Sequence, residues 1–310
     1  MPRILRITTV PISLKLLLSG QPSYMREAGM EVLLCSADGP ERSEVMAREG
    51  CDHRVVPFTR SITPVQDLIA LWQLWRLMRY WKPDIVHTHT PKAGLLGMLA
   101  AKLAGVPVRI HTIAGLPFMT SSGKKRQLLI AMEQLTYWGA QHVWPNSASM
   151  LSYVREHGLC KEQKIDMIAG GSSNGIDLSV FSRATVSPNR IEAMQQSFPY
   201  EEEAIWIVAI GRIVKDKGII ELLAAFQALQ LDFPQLRLLL AGPIERERAE
   251  ETLSDNLLLS IDKNPHVHHL PWVEDVAALL TLTNILVHAS HREGFPNAPL
   301  QAAAMEVPLI

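Results

Sequence analysis

Short apolar runs alternate with longer amphipathic stretches along the whole chain. The runs have no polar face, which is typical of strands that are buried on both sides of a parallel sheet. The stretches between them have helical periodicity. In the first half, strands are predicted at 4–9, 31–37, 54–58, 84–90, 108–114, 142–146 and 164–169. Helices are predicted at 14–28, 40–50, 64–81, 91–104 and 124–139.

The alternation is interrupted at 183–203, a segment with two prolines and an acidic run that is typical of a connection between domains. Beyond it, strands are predicted at 205–210, 237–241, 267–271 and 285–289. Helices are predicted at 217–231 and 245–263, before 285, and from about Asn297 onwards. Since 310 residues exceed the usual size of one domain, we predict an α/β protein with two parallel-sheet domains, 1–185 and 186–310.

Charge is divided unequally between these two parts. The chain has a net charge of -1, but residues 1–185 carry seven excess positive charges and residues 186–310 carry eight excess negative ones. A basic N-terminal half favours an anionic partner there, such as a membrane surface or a phosphorylated acceptor. The alternative is an incidental asymmetry of the surface.

Cysteine usage and the N-terminal sequence indicate the compartment. Three cysteines without a CxxC spacing fit a reducing environment, and no signal peptide precedes the first strand. We expect a cytoplasmic protein, peripheral to the membrane at most. The predicted helix 64–81 contains three tryptophans and two arginines, as an interfacial helix can. However, Leu68, Leu71, Trp72, Trp75 and Met78 form one apolar stripe, and we favour core packing for it.

The stretch from His288 to Met305 contains the first candidate site. An apolar strand ends in a short polar loop, and an alanine-rich helix follows it. The helix N-terminus presents N–H groups and the positive end of the helix dipole, which suit an anion. Glu293 in the loop can accept hydrogen bonds from hydroxyl groups. The alternative is an ordinary strand–loop–helix corner.

A second loop of similar character follows the strand at 205–210. Arg212 and Lys217 flank a turn that leads into a helix. A guanidinium group can bind a diphosphate through two hydrogen bonds, and an ammonium group binds it as a point charge. A solvated charged turn would have the same sequence, but two such loops at neighbouring strand ends favour a binding site.

Three histidines are candidates for a metal site in the first domain. His87 and His89 occupy alternate positions of one strand, and His111 lies in the next strand. No Cys, Asp or Glu stands at a complementary spacing, so we favour crevice or buried histidines over metal ligands. The dinucleotide motif GxGxxG, the P-loop motif and an Asp-x-Asp pair are also absent from the sequence. The glycine-rich run 170–177 is predicted to be a flexible turn.

Several motifs together resemble those of the bacterial glycosyltransferases of family 4, in the branch used for capsule, lipopolysaccharide or exopolysaccharide assembly. They lie at 13–15 (SLK), 83–94 (PDIVHTHTPKAG), 109–117 (RIHTIAGLP), 171–177 (GSSNGID), 211–218 (GRIVKDKG) and 292–297 (REGFPN). The resemblance covers nearly the whole chain. It implies the GT-B fold, in which two Rossmann-like domains face each other across a cleft. It also implies transfer of a sugar from a nucleotide donor with retention at the anomeric carbon, without a metal or another cofactor.

The resemblance also implies roles for particular residues. Arg212 and Lys217 would hold the donor diphosphate, Glu293 would bind the hydroxyls of the donor sugar, and His111 would approach that sugar from the other domain; these four form the expected catalytic set. The expected donor site further includes Gly294, Phe295, Pro296, Asn297 and Gln301. The residues expected on the acceptor side are Ser13, Lys15, His89, Lys92 and Asn146.

The implied partners are a UDP- or GDP-linked sugar and a lipid-linked glycan acceptor, with no nucleic acid. The reaction would be a front-face displacement in which the leaving phosphate takes the proton of the acceptor.

The sequence departs from the family pattern near its C-terminal end. Gln301 stands where the family has a second glutamate that contacts the nucleoside ribose, which would weaken nucleotide binding by roughly 1–2 kcal/mol. Glu306 stands where the family usually has glycine. The sequence ends at Ile310, within the expected fifth strand, and we therefore expect a C-terminally truncated second domain. Two alternatives remain at this point: an inactive remnant that at most binds nucleotide, and a sugar-nucleotide epimerase of similar build.

Overall fold

The computed structural model describes residues 1–172, 174–246 and 251–310. They divide into two compact units, Met1–Asn174 and Gly175–Ile310. The segment 183–203, predicted to connect the domains, lies within the second unit. There Val186, Met194 and Phe198 are buried in its core.

The first unit is built on a six-stranded sheet in which all neighbouring strands are parallel. Its strands are β1 Arg3–Ile7, β2 Glu31–Ser36, β3 Asp52–Val55, β4 Ile85–His89, β5 Val108–Ile113 and β6 His142–Pro145. The order β3-β2-β1-β4-β5-β6 is that of a Rossmann-like sheet. The order changes direction between β1 and β4, so a crevice is expected where those strands end.

Seven helices surround this sheet among the described residues. They are α1 Pro11–Leu17, α2 Gln21–Glu27, α3 Arg42–Glu49, α4 Pro64–Trp81, α5 Pro91–Ala104, α6 Gly123–Gly139 and α7 Ala148–Glu156. Leu5 and Ile7 of β1 belong to the core on one face, whereas Ile4 belongs to the core on the other. Both faces of the sheet are therefore covered, as its apolar strands predicted.

Three predictions for the first unit are corrected. The helix predicted at 14–28 is two helices, because Gly20 is left-handed and Pro22 stands in the first turn of α2. The strand predicted at 164–169 is only an isolated bridge between Ile165 and Val143, and the Asp166 carboxylate accepts the next N–H, that of Met167. Helix α7 was not predicted, although Ser147 is its N-cap.

Helix α4 has the predicted bounds, but its buried face is not the predicted one. Ala70, Leu74 and Met78 are buried, whereas Leu68, Trp72 and Trp75 are 66%, 53% and 38% exposed. The predicted core stripe is therefore wrong for these three residues, and apolar side chains line both faces of α4. Among the described residues, no helix has both the length and the apolar composition needed to cross a bilayer.

The second unit contains a four-stranded parallel sheet in the order β10-β7-β8-β9. Its strands are β7 Ile205–Ile210, β8 Leu236–Ala241, β9 Val267–Leu270 and β10 Ile285–Leu286. Its helices are α8 Pro188–Gln195, α9 Ile219–Gln230, α10 Asp255–Lys263, α11 Val276–Thr281 and α12 Asn297–Ala304. The predicted helix 245–263 is confirmed only as α10, and 247–250 lie outside the described residues.

The expected fifth strand begins beside β10. Leu309 forms a parallel bridge with Leu286, and Leu286 N donates to the Pro308 carbonyl at 2.9 Å. On its other side β10 pairs with β7. The loops after β7 and β10 therefore start from adjacent strand ends, as predicted.

Candidate functional site

Two loops at the carboxyl edge of the second sheet approach each other closely. One loop, 211–218, connects β7 to α9, and the other, 287–296, connects β10 to α12. Gly218 has a φ of +66°, and a Cβ atom there would lie 2.1 Å from the Ala289 carbonyl oxygen. Glycine is therefore required for both the turn and the close approach. The two loops line a depression, and Gly211, Arg212, Lys217 and His288 are among the residues in its wall.

Lys217 and Glu293 form an ion pair between the two loops. Each side chain is largely buried, and His288 Nε2 lies 3.2 Å from the same carboxylate. Burial opposes ionisation of Glu293, but contacts with His288, Lys217 and Ser290 outweigh it and lower the pKa of Glu293 to about 2. The carboxylate is therefore charged throughout the physiological range and can accept hydroxyl hydrogen bonds.

Arg212 lies in the same loop as Lys217 but pairs with two acids that follow β8 in the chain. Its Nη1 is 2.6 Å from Glu245 and 3.3 Å from Glu251. Burial disfavours the charged guanidinium, but these carboxylates outweigh it and raise the pKa of Arg212. The structure thus holds Arg212 against two acids, and an anionic ligand would compete with them.

A further ion pair lies directly beside Lys217 and Glu293. Asp216 Oδ2 accepts a hydrogen bond of 2.8 Å from Arg292 Nη2. The Asp216 carbonyl oxygen also accepts from His291 N at 2.9 Å and from Ser290 Oγ at 3.2 Å. From the sequence alone, no role is predicted for Asp216 or Arg292. The signal was present, since opposite charges stand immediately before Lys217 and Glu293 in the two loops.

The remaining predicted donor residues lie at the start of α12. Gly294, Phe295 and Pro296 precede the helix, Asn297 begins it, and Gln301 is one turn further on. All five are partly exposed. The N–H groups of Gly294, Phe295 and Asn297 and the helix dipole suit a phosphate group or another anion. This unit therefore combines cations, a helix N-terminus and a partly buried carboxylate that can accept hydrogen bonds from hydroxyl groups.

Buried histidines and an arginine lie on one face of the first sheet, which α2 covers. Arg6 Nη2 is 3.0 Å from His89 Nε2 and donates to Gln21 Oε1 at 2.8 Å. The His87 and His89 rings are 4.2 Å apart. Burial and the neighbouring cations hold the pKa of both histidines well below the usual value, so they are neutral. His89 is thus a buried residue near the end of β4.

His111 lies on the opposite face of this sheet from His89. Its Nδ1 shares a hydrogen bond of 2.9 Å with Thr88 Oγ1, and its ring packs against Gly94 of α5. Burial lowers the pKa of His111 to about 4. His111 is therefore packed between the sheet and α5 in the structure. Its contact with a donor sugar stays a prediction.

The other residues predicted on the acceptor side are spread over the first unit. Lys92 contacts Asp67 at 2.6 Å and Thr59 at 2.8 Å, so it ties α5 to α4 and the preceding loop. Lys15 pairs with Glu44 of α3 at 2.9 Å, and Ser13 lies partly buried in α1. Asn146 follows β6, and its buried Oδ1 has no hydrogen-bond partner among the residues that the structure describes. The structure therefore does not bring these residues together into one cluster.

No group of three or more His, Cys, Asp or Glu side chains that could hold a metal occurs within 1–172, 174–246 and 251–310. The glycine-rich run at 170–177 is irregular, and Ser173 lies outside the described residues. Gly171 packs closely on the Asn146 carbonyl, and Ser172 N donates to that carbonyl at 2.6 Å.

Comparison with known proteins identifies the family. The family "Glycosyl transferase 4-like domain" matches residues 23–171, and "Glycosyl transferases group 1" matches residues 190–310. The capsular polysaccharide biosynthesis glycosyltransferase CapM of Staphylococcus aureus is 34% identical over 308 residues, which cover 99% of this chain and 78% of CapM.

Two further comparisons agree with this assignment. An Escherichia coli UDP-Gal:α-D-GlcNAc-diphosphoundecaprenol α-1,3-galactosyltransferase is 26% identical over 282 residues, which cover 90% of this chain and 70% of that enzyme. Anabaena HepE in complex with UDP-glucose has a similar fold, with a TM-score of 0.79 at 17% identity, over 100% of this chain and 80% of HepE. The chain therefore belongs to the bacterial glycosyltransferases of family 4, which have the GT-B fold, and is a glycosyltransferase of the kind used in capsule and polysaccharide synthesis.

Proposed function

We propose that this protein transfers a sugar from a nucleoside diphosphate donor to a lipid-linked glycan acceptor, with retention of configuration. The observation that carries the proposal is the partly buried ion pair of Lys217 and Glu293, with Arg212 in the same loop as Lys217. It combines cations suited to a diphosphate with a carboxylate suited to sugar hydroxyls.

In this proposal the second unit binds the donor. Arg212 and Lys217 bind the diphosphate and stabilise the negative charge that develops as it leaves. Glu293 accepts hydrogen bonds from the sugar hydroxyls, while the N–H groups at the start of α12 face the phosphate or the sugar. Lys217 then bridges the diphosphate and Glu293, so that the sugar is oriented relative to its leaving group.

The proposed step needs no nucleophile from the protein. The acceptor hydroxyl oxygen attacks the anomeric carbon from the side of the leaving group as the bond to the diphosphate oxygen breaks. The acceptor proton passes to that oxygen, and the products are the glycoside and the nucleoside diphosphate. We expect transfer to continue in EDTA, since the lysine and arginine supply the positive charge.

The acceptor proposal rests on relatives and on the surface of the first unit. The E. coli relative acts on a diphosphoundecaprenol-linked sugar, as its name states. A lipid-linked acceptor requires the enzyme to work at a bilayer, and the exposed face of α4 supplies apolar and aromatic side chains beside Arg76 and Arg79. We propose that this face lies on the anionic inner surface of the membrane.

A transfer assay tests the proposed function. UDP- and GDP-linked sugars are supplied with a synthetic diphosphoprenol-linked monosaccharide, and the anomeric configuration of the product is read by NMR. Arg212→Ala and Glu293→Ala should each lower kcat/KM by about a hundredfold or more while the protein stays folded. Wild-type turnover in both variants would contradict the assigned roles.

The same experiment separates the alternative functions. Calorimetric binding of UDP or GDP without turnover would favour a non-catalytic nucleotide-binding protein. Conversion of the donor sugar without an acceptor would indicate an epimerase, which the family matches do not favour.

A further inference from the structure

Two consecutive charge pairs join the loops that follow β7 and β10. Asp216 pairs with Arg292 at 2.8 Å, and the next residue of each loop, Lys217 and Glu293, forms the second pair. We propose that the Asp216–Arg292 pair is a positioning element that fixes Lys217 and Glu293 in their productive geometry. This inference rests on the proposed function, in which Lys217 and Glu293 bind the donor.

The order of charges fixes how the two loops are aligned. The first loop has an acid followed by a base, Asp216 and Lys217, and the second has a base followed by an acid, Arg292 and Glu293. A shift of one residue would place Asp216 opposite Glu293, or Lys217 opposite Arg292. Like charges in a partly buried site repel strongly, because water screens them poorly. The alternation of sign therefore selects one alignment.

The backbone reinforces the same alignment. The Asp216 carbonyl accepts hydrogen bonds from His291 N at 2.9 Å and from Ser290 Oγ at 3.2 Å. Two residues later, Gly218 packs directly on the Ala289 carbonyl. Asp216 is thus held to the second loop by both its main chain and its side chain, immediately before Lys217.

Burial makes the pair sensitive to the loss of either partner. The side chains of Arg292 and Asp216 are 13% and 18% exposed. Removing one charge would leave the other largely buried without its partner, and the loop would have to rearrange to hydrate it. Glu251 lies 3.9 Å from Arg292 and 3.3 Å from Arg212, so a rearrangement would also reach Arg212.

The test is the variant Asp216→Asn, which keeps the size of the side chain and removes its charge. We expect kcat/KM for the nucleotide sugar to fall about ten- to a hundredfold, because Lys217 and Glu293 are displaced. A crystal structure of the variant should show the Lys217–Glu293 contact broken. In a Lys217→Ala background, Asp216→Asn should lower kcat/KM by a smaller factor than in the wild type, because only the part exerted through Glu293 and Arg212 remains.

Glu201→Gln is the matched control. Glu201 pairs with Arg237, whose side chain is 13% exposed like that of Arg292. However, Glu201 lies before β7, at the amino ends of the strands, away from the two loops. This variant should change the melting temperature at most, and leave kcat and KM unchanged.

Three outcomes would overturn the inference. They are an intact Lys217–Glu293 contact in Asp216→Asn, an unchanged kcat/KM beside an active wild type, or an equal loss with and without Lys217. A wild type that transfers no sugar from any donor would instead refute the proposed function, and the crystal structure of the variant would still decide whether Asp216 positions the pair.

Discussion

Glu306 occupies a backbone conformation that suits glycine. It follows α12 with a φ of +57°, in the left-handed region that costs a residue with a Cβ atom roughly 1–2 kcal/mol. Glu306→Gly removes that strain but increases the freedom of the unfolded chain. We therefore expect the free energy of unfolding to rise by about 0.5–1 kcal/mol, measured by urea denaturation.

Glu306→Ala is the control for this prediction, because it removes the charge and keeps the Cβ atom. It should give none of the gain. An equal gain in both variants would mean that the carboxylate, and not the backbone conformation, destabilises the wild type.

At the scale of residues, the sequence predicted the closeness of Lys217 and Glu293 better than the surroundings of His111 and Lys92. Lys217 and Glu293 come together because they follow two adjacent strands, which the order of apolar runs already indicated. His111 could not be placed, since alternation along a strand does not say which helices cover each face. Lys92 could not be placed either, because its partner Asp67 is 25 residues away and belongs to another helix.

Helix α4 illustrates what periodicity can and cannot predict for an element. Its bounds follow from Pro64 in the first turn and from the left-handed Lys82 after its end. The buried face of α4 could not be predicted, because apolar residues line both of its faces. Which face is buried depends on how the helix packs against α5. The exposed stripe is therefore free to bind something other than the protein core.

The exposed face of α4 gives the prediction at this scale. Trp72 and Trp75 are exposed, and the Arg76 guanidinium lies 5.4 Å from the centre of the Trp72 ring. The double variant Trp72→Ser/Trp75→Ser should weaken binding to phosphatidylglycerol vesicles about tenfold or more, because apolar surface no longer enters the interface. Vesicle co-sedimentation measures this.

Phe233→Ser is the matched control, because it removes an exposed aromatic side chain of the second unit. It should leave vesicle binding unchanged. Binding of the tryptophan variant equal to that of the wild type would contradict the proposed membrane face, as would equal binding of the wild type to neutral phosphatidylcholine.

For the whole molecule, the sequence predicted two parallel-sheet units but misread the segment between them. Prolines and acidic residues in 183–203 suggested a connection, yet Val186, Met194 and Phe198 supply part of the core of the second unit. The overall composition of this segment is polar, but its burial is decided by a few apolar residues. The Asp216–Arg292 pair is not predicted although its charges stand beside Lys217 and Glu293, because the pairing depends on a contact between distant parts of the chain.

Stability of the whole molecule should depend on pH through buried groups of the first unit. Burial lowers the pKa of His53 and His111 to about 4 and, with nearby cations, holds the pKa of His87 and His89 well below its usual value. Each takes up a proton when the chain unfolds between about pH 4 and 6.5. Their effect is therefore a loss of stability as pH falls through this window.

Glu133 acts in the opposite direction. Burial in α6 raises the pKa of Glu133 to about 7, so it releases a proton on unfolding between about pH 4.5 and 7. Stability from this group declines as pH rises through that window. Four histidines outweigh one glutamate, and we expect the melting temperature measured by calorimetry to fall from pH 6.5 to 5. An unchanged melting temperature over this range would contradict the assignment of neutral, buried histidines.

Glu133→Gln isolates the single opposing group. Glutamine resembles the protonated carboxyl group, so the variant should melt with the wild type at pH 5, where Glu133 is already neutral. At pH 8 the variant should melt at a higher temperature than the wild type. The folded wild type must then either bury a charged carboxylate or keep Glu133 protonated at a pH above its pKa, and both cost free energy. Glu162→Gln, at an exposed ion pair with Arg155, controls for loss of a surface charge and should show no such pH-dependent gain. An equal gain at both pH values would mean that the amide stabilises α6 by packing or hydrogen bonding, and not by relieving a buried charge.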